Sequence, residues 1–153
     1  SNDYYQFQVS TMGFNGISLS WDQTSSNTGP RDFALSYSTD NWLSSSQFAT
    51  YTVLANAAPN PAWSATTPRP EFNFSYDLSS IVALNNQANV YFRLINISTV
   101  AAGTTLPVAS AGTNRVDNFT VNGTAISSVP LPGAVWLFGS ALMGLLGLKR
   151  RKA

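Results

Sequence analysis

Apolar residues in this chain recur at every second position, in runs too short for helices. Tyr5, Phe7 and Val9 alternate with Gln6 and Gln8, and Ile17, Leu19 and Trp21 alternate with Ser18 and Ser20. Phe33, Leu35 and Tyr37 repeat the pattern, as do Phe72, Phe74 and Tyr76, and Val90, Phe92 and Leu94. Successive side chains on a strand point to opposite faces, so a period of two marks a half-buried strand. Residues 48–54 supply a further strand, and Arg115, Asp117, Phe119 and Val121 mark a seventh. Turn chemistry separates the runs: residues 12–16, the polar loop 24–30 with Gly29-Pro30, residues 39–41, and Asn122-Gly123. Residues 77–84 predict one short helix capped by Asp77 or Ser79. Two long irregular segments remain, residues 55–70 with Trp63 among four prolines, and residues 97–112. Irregular segments of that length are uncommon in compact domains unless they have a role. Seven short strands joined by turns predict an all-β fold over residues 1–128, a β-sandwich of jelly-roll type.

The side-chain inventory narrows the chemistry. The 153 residues include no cysteine and no histidine, and the two lysines, Lys149 and Lys152, both sit in the last five positions. Disulfides, thiolates and the usual nucleophile–base pairs are therefore excluded. Glu71 is the sole glutamate, and no aspartate pairs with it at a spacing that suggests glycoside hydrolysis. The expectation is a protein that is not an enzyme. Charged residues make up only 10% of the chain, with Ser, Thr, Asn and Gln in their place, as in extracellular β proteins. Over residues 1–128, four arginines stand against seven carboxylates, leaving −3 despite the overall +1. A weakly acidic domain without a basic patch predicts no nucleic-acid partner.

The last 25 residues are of another kind. Val129, Pro130, Leu131 and Pro132 form a stiff, non-helical lead-in, because each proline fixes its φ and removes a donor. Residues 133–148, from Gly133 through Trp136, Phe138, Ser140 and Gly144 to Leu148, are uncharged and almost wholly apolar. Lys149, Arg150, Arg151 and Lys152 then form a basic stop. In hydrocarbon such a run satisfies its backbone only as a helix. Its length of roughly 24 Å falls short of the ~30 Å bilayer core, a gap that Leu131 and the cationic stems can partly fill by snorkelling. A membrane segment is expected, with its basic end on the cytoplasmic side and residues 1–128 outside. Trp136 suits the outer interface, and Ser140 with Gly144 forms a small-xxx-small pair that permits close helix approach.

Val129-Pro130-Leu131-Pro132, then Ala134-Val135-Trp136-Leu137-Phe138-Gly139-Ser140, then Gly144-Leu145 and Arg150-Arg151-Lys152 resemble the PEP-CTERM protein-sorting signal of Gram-negative bacteria. Leu131 stands where the commonest form of that signal has glutamate, and Gly133 where alanine is frequent. The resemblance covers residues 129–153. It implies export, with an exosortase, a membrane transpeptidase-like enzyme, as the processing partner, and an association with bacteria that make extracellular polysaccharide. The blocks SSNTGPRDFALSYSTD, DLSSIVALNNQANVYFRL and NRVDNFTVNG also resemble a β-sandwich domain of bacterial extracellular proteins, over most of residues 14–124. That resemblance implies a fold and no reaction. An exported protein requires a signal peptide, which the chain from Ser1 onward does not contain. A mature form or a fragment is expected, with strands preceding Ser1 among the missing parts.

Three sets of residues are candidates for a site. Trp42, after a turn, and Trp63, in the proline-rich segment, are candidate ligand contacts, since sugar rings stack on exposed aromatic faces. Trp21 continues an apolar face and is expected in the core. Asp117, Asn118 and Asp22 are candidate oxygen ligands for calcium, against the alternatives that Arg115, Asp117 and Asn118 simply close a strand end or loop, or contact a sugar. The functional expectation is an exported cell-surface or extracellular-matrix protein in adhesion or polysaccharide association. The alternative is a subunit that self-associates into an extracellular filament by strand exchange or edge pairing.

Overall fold

A computed structural model describes residues 3–127. The expected sorting motif at residues 129–132, membrane segment at 133–148 and basic stop at 149–152 lie outside the described residues. Among the described residues no helix is long and apolar enough to cross a membrane.

Seven strands form two antiparallel sheets stacked as a β-sandwich. They are β1 (Tyr4–Val9), β2 (Phe14–Ser25), β3 (Asp32–Ser38), β4 (Ser46–Thr52), β5 (Asn73–Asp77), β6 (Val90–Asn96) and β7 (Asn114–Ala125). One sheet has the order β1-β6-β3-β4 and the other β5-β2-β7. Their facing residues are those the alternation selects: Ile17, Leu19 and Trp21 from one sheet, and Phe33, Leu35, Phe92 and Leu94 from the other, all buried. Trp21 is the centre of an aromatic cluster. Tyr51 meets it edge-on at 5.3 Å, and Phe74 and Tyr76 stack on it at 5.6 Å each. At the side where β1 and β7 lie opposite, Phe7 and Phe119 stack with centroids 3.7 Å apart and planes within 1°.

One buried polar group is built into this core. The Gln23 side-chain oxygen accepts from Trp21 Nε1 at 3.0 Å and from the Tyr51 hydroxyl at 2.8 Å, while its nitrogen donates to Asn114 Oδ1 at 3.0 Å. Each member of a buried polar network needs its partners, since an orphaned donor costs about 1–3 kcal/mol.

Four local expectations change. The segment 77–84 is not an α-helix but a single 3-10 turn at Val82–Leu84. Leu78 N–H is already committed to Ile17 O at 2.9 Å, tethering the segment to β2, and i→i+3 bonds close the rest. Asp77 Oδ1 instead accepts from Ser79 N–H. Phe72 belongs to the 3-10 turn Pro70–Phe72, so β5 starts at Asn73. β2 continues through Thr24 and Ser25, and Asn122-Gly123 lies inside β7 and makes no turn. These two strands pair along most of their twelve residues, and pairing overrides local turn preference. Gly123 serves close approach there: a Cβ on it would lie 3.0 Å from Ile17 Cδ1 and 3.2 Å from Phe14 Cβ. Finally, β7 carries an extra residue between the pairs Ser20/Thr120 and Asp22/Asp117, where Asn118 adopts a φ of 54°. The bulge flips the strand, so Val116 and Phe119 both pack on the core and Arg115 and Asp117 take the opposite face.

Candidate functional site

Cross-strand register sets out the outer face of the four-stranded sheet in rows. Tyr4, Ile95 and Ala34 form one row; Gln6, Arg93 and Ser36 the next; Gln8, Tyr91 and Ser38 the third. The β3 members are small and buried, and the β1 members are exposed. Over this face comes the connection between β3 and β4. Asn41 and Trp42 are consecutive left-handed residues, with φ of 57° and 67°. Such backbone is costly for a tryptophan and must be held by its surroundings. Trp42 N–H donates to Ser38 Oγ at 2.9 Å. Asp40 braces the turn: its Oδ1 accepts from Ser38 Oγ at 2.7 Å and from Ser44 N–H at 3.0 Å, and its Oδ2 from Ser44 Oγ at 2.6 Å. The Ser44 hydroxyl, then the Ser44 amide and the Ser38 hydroxyl, hold the Asp40 carboxyl down to about 2.

The turn delivers the Trp42 indole to Arg93. The guanidinium carbon of Arg93 lies 3.8 Å from the Trp42 ring centroid and 4.0 Å from that of Tyr4. Arg93 Nε donates to Gln6 Oε1 at 2.8 Å, and Gln8 Nε2 to Asn89 Oδ1, also at 2.8 Å. The Trp42 Nε1 atom is buried without a hydrogen-bond partner. Of the two tryptophans selected from sequence, Trp42 therefore stands in a polar–aromatic constellation. Tyr4, Gln6 and Arg93 complete it, and the sequence reading gave them no role. The available signal was the second face of β1, where an outward Tyr4 heads a row of amides.

Trp63 has a different setting. Its ring meets Phe72 edge-on at 5.4 Å, and its backbone N–H donates to Asn56 Oδ1 at 2.7 Å. It is half-buried against the proline-rich segment and is not brought to Trp42. Trp21 is fully buried, as expected of a core residue.

The calcium candidates do converge. Asp22 and Asp117 pair across β2 and β7, and Asp22 is only 4% exposed. Its Oδ1 accepts from Asn73 Nδ2 at 3.0 Å and its Oδ2 from Asn118 Nδ2 at 2.8 Å. Asp117 Oδ1 accepts from Asn118 N–H at 2.8 Å. Amide nitrogens thus face the buried carboxylate, an arrangement that suits a hydrogen-bonded clasp across the three strands of the smaller sheet. A cation here would require both amides to turn over. Among the described residues no group of three or more acidic side chains gathers as a metal site.

Arg31 Nε pairs with Asp32 at 3.0 Å, beside Thr52 and Ser98, and the ion pair holds the Asp32 carboxyl below its usual range. It is a partly exposed pair at the surface, of the kind that contributes about 0–1 kcal/mol. A cavity of about 570 Å³ opens where the start of β1 meets the loop before β7, lined by Asp3, Tyr5, Phe33, Asn96, Val108 and Asn114 among others. The Tyr5 hydroxyl donates to Asn114 O at 2.8 Å, and burial pushes it above the usual tyrosine range.

No family model, curated protein or solved structure matches this chain.

Proposed function

We propose that this protein is exported and acts without catalysis at the cell surface or in the extracellular matrix, in adhesion or association with polysaccharide. In this reading an exosortase processes the C-terminal tail after the membrane segment has held the chain at the inner membrane. The observation that carries it is the order of parts at residues 129–153: proline-rich lead-in, uncharged apolar run, cationic end. A β-sandwich with an aromatic–arginine face is a suitable body for such an address, since sugars are recognised by flat rings flanked by polar groups. The test is the intact mass of the protein recovered from its native envelope. Loss of everything after about Pro132 is the expected result; a mass that still includes Lys149 to Lys152, with the protein in the cytoplasm, overturns the reading.

The finer fold we propose is a jelly roll. The chain crosses between the sheets at every step except β3 to β4, and a fourth strand beside β7 would give two sheets of four. That edge also favours a second reading, a self-associating filament subunit. Among the described residues β7 has no strand on its outer side, runs for twelve residues, and contains neither proline nor lysine. Such an edge invites another strand. Sedimentation that rises with protein concentration and ignores added polysaccharide would favour the filament.

A further inference from the structure

We propose that the Tyr4–Arg93–Trp42 stack is a binding site for the carboxylate of a uronic-acid polysaccharide; this rests on the polysaccharide reading above and names its ligand class. The argument starts from what the stack does to Arg93. Two aromatic rings hold the guanidinium carbon, Tyr4 at 4.0 Å and Trp42 at 3.8 Å from their centroids. Its Nε is engaged by Gln6 Oε1 at 2.8 Å. What remains is the in-plane edge formed by the two Nη groups. Among the described residues no carboxylate pairs with Arg93 and no other acceptor bonds it. A cation is therefore clamped in one orientation, at the centre of an outer sheet face, with its fork unused.

A planar fork of N–H donors matches a carboxylate through two parallel, charge-assisted hydrogen bonds, which a neutral group does not reproduce. Pre-ordering by two rings removes most of the side-chain entropy that a free arginine loses on binding. The surroundings fit a sugar acid. Tyr4 is 49% exposed beside the fork, leaving ring surface for a pyranose. Gln6 and Gln8 offer amides in the neighbouring rows. Nucleic acid does not fit, because a single cation on a domain of net −3 cannot supply the several phosphate contacts it needs. Selectivity for the carboxylate follows from that single fork: an esterified sugar keeps the ring and loses the ion.

The test is titration of the full chain with polygalacturonate, with the same polymer methyl-esterified, and with dextran. Binding to polygalacturonate at least about 10-fold tighter than to its ester is expected, from charge-assisted bidentate pairing. Arg93→Lys keeps the charge but lacks the fork, and should lose that preference. Gln6→Glu places a carboxylate on Arg93 from within, and should abolish binding while keeping the fold, so a loss in either variant is read alongside its far-ultraviolet circular dichroism. Equal affinity for acid and ester, or unchanged binding in folded Arg93→Lys and Gln6→Glu, overturns the carboxylate site and leaves polysaccharide association standing. Absence of binding to all three polymers overturns both, whereas the mass measurement bears on surface placement alone.

Discussion

The turn that carries Trp42 depends on one carboxylate. Asp40 accepts three hydrogen bonds from Ser38 and Ser44, and these hold it at about 2, below the ordinary aspartate value of about 3.9. A carboxyl whose folded value is depressed adds stability above its unfolded value, and loses it as pH falls through the folded value. The Asp40 contribution is thus complete above about pH 5 and mostly lost by about pH 2. Asp32, lowered chiefly by Arg31, and Asp77, lowered chiefly by the Ser79 amide, act in the same direction. Asp40→Asn should melt below the wild type at pH 5, and the two melting curves should meet as pH approaches 2. Parallel curves across that range would show that the carboxylate does not hold the turn. None of this bracing was legible in residues 39–41 beyond the presence of a turn. Neither was the destination of the indole, because Arg93 lies 51 positions away in the chain from Trp42. Only the pairing of β6 with β1 and β3 brings Arg93, Tyr4 and the turn to one face.

Strand identity was far easier to read than strand length. β1, β3 and β6 follow their alternation, and β6 does so residue by residue, with Val90, Phe92 and Leu94 inward and Tyr91 and Arg93 outward. β2 and β7 outran their patterns because each is the other's partner, and two bulges let polar residues such as Asp22 and Asn122 remain in the ladder. At the end of that ladder the loops before β3 and β7 cross at close range. Gly112 packs against Gly29: a Cβ on Gly112 would sit 2.8 Å from Gly29 Cα and against the Thr28 carbonyl. The neighbours are backbone and cannot swing aside as a side-chain tip can. Ser26 N–H to Thr113 O at 2.8 Å and Ala109 N–H to Thr28 O at 3.1 Å fix the same crossing. Gly112→Ala should therefore destabilise by about 1–3 kcal/mol, in the range of overpacked sites. Chemical denaturation reads this as a lower midpoint at unchanged slope. A change under 0.5 kcal/mol would mean that the two loops separate without cost.

At the scale of the molecule, the question is whether the sandwich depends on the tail. Its apolar residues meet one another across the two sheets: Trp21, Phe33, Phe92 and Leu94 are buried within residues 3–127, and Phe7 and Phe119 meet at the β1–β7 side. The final ladder pairs, Phe14 with Ala125 and Asn15 with Thr124, close before the proline-rich lead-in begins, and Ile126 N–H still reaches Gly13 O at 2.8 Å. Among the larger exposed apolar side chains, Met12, Phe14 and Ile126 lie on segments that meet where Ile126 N–H bonds Gly13 O, and Leu43, Val82 and Leu106 belong to other connections. A few exposed apolar side chains are ordinary on a folded surface and need no covering helix. A chain ending at Ser127 should accordingly melt within about 2 °C of the full chain, a difference of well under 1 kcal/mol for a domain of this size. A sixteen-residue apolar helix seated on the sandwich would bury several large side chains at about 1.5–3 kcal/mol each, and its removal would lower the midpoint by many degrees. A small shift makes residues 3–127 a self-sufficient body, as the proposed removal of the tail requires. A large one would make the tail part of the fold, and the proposed cleavage near Pro132 would then unfold the protein.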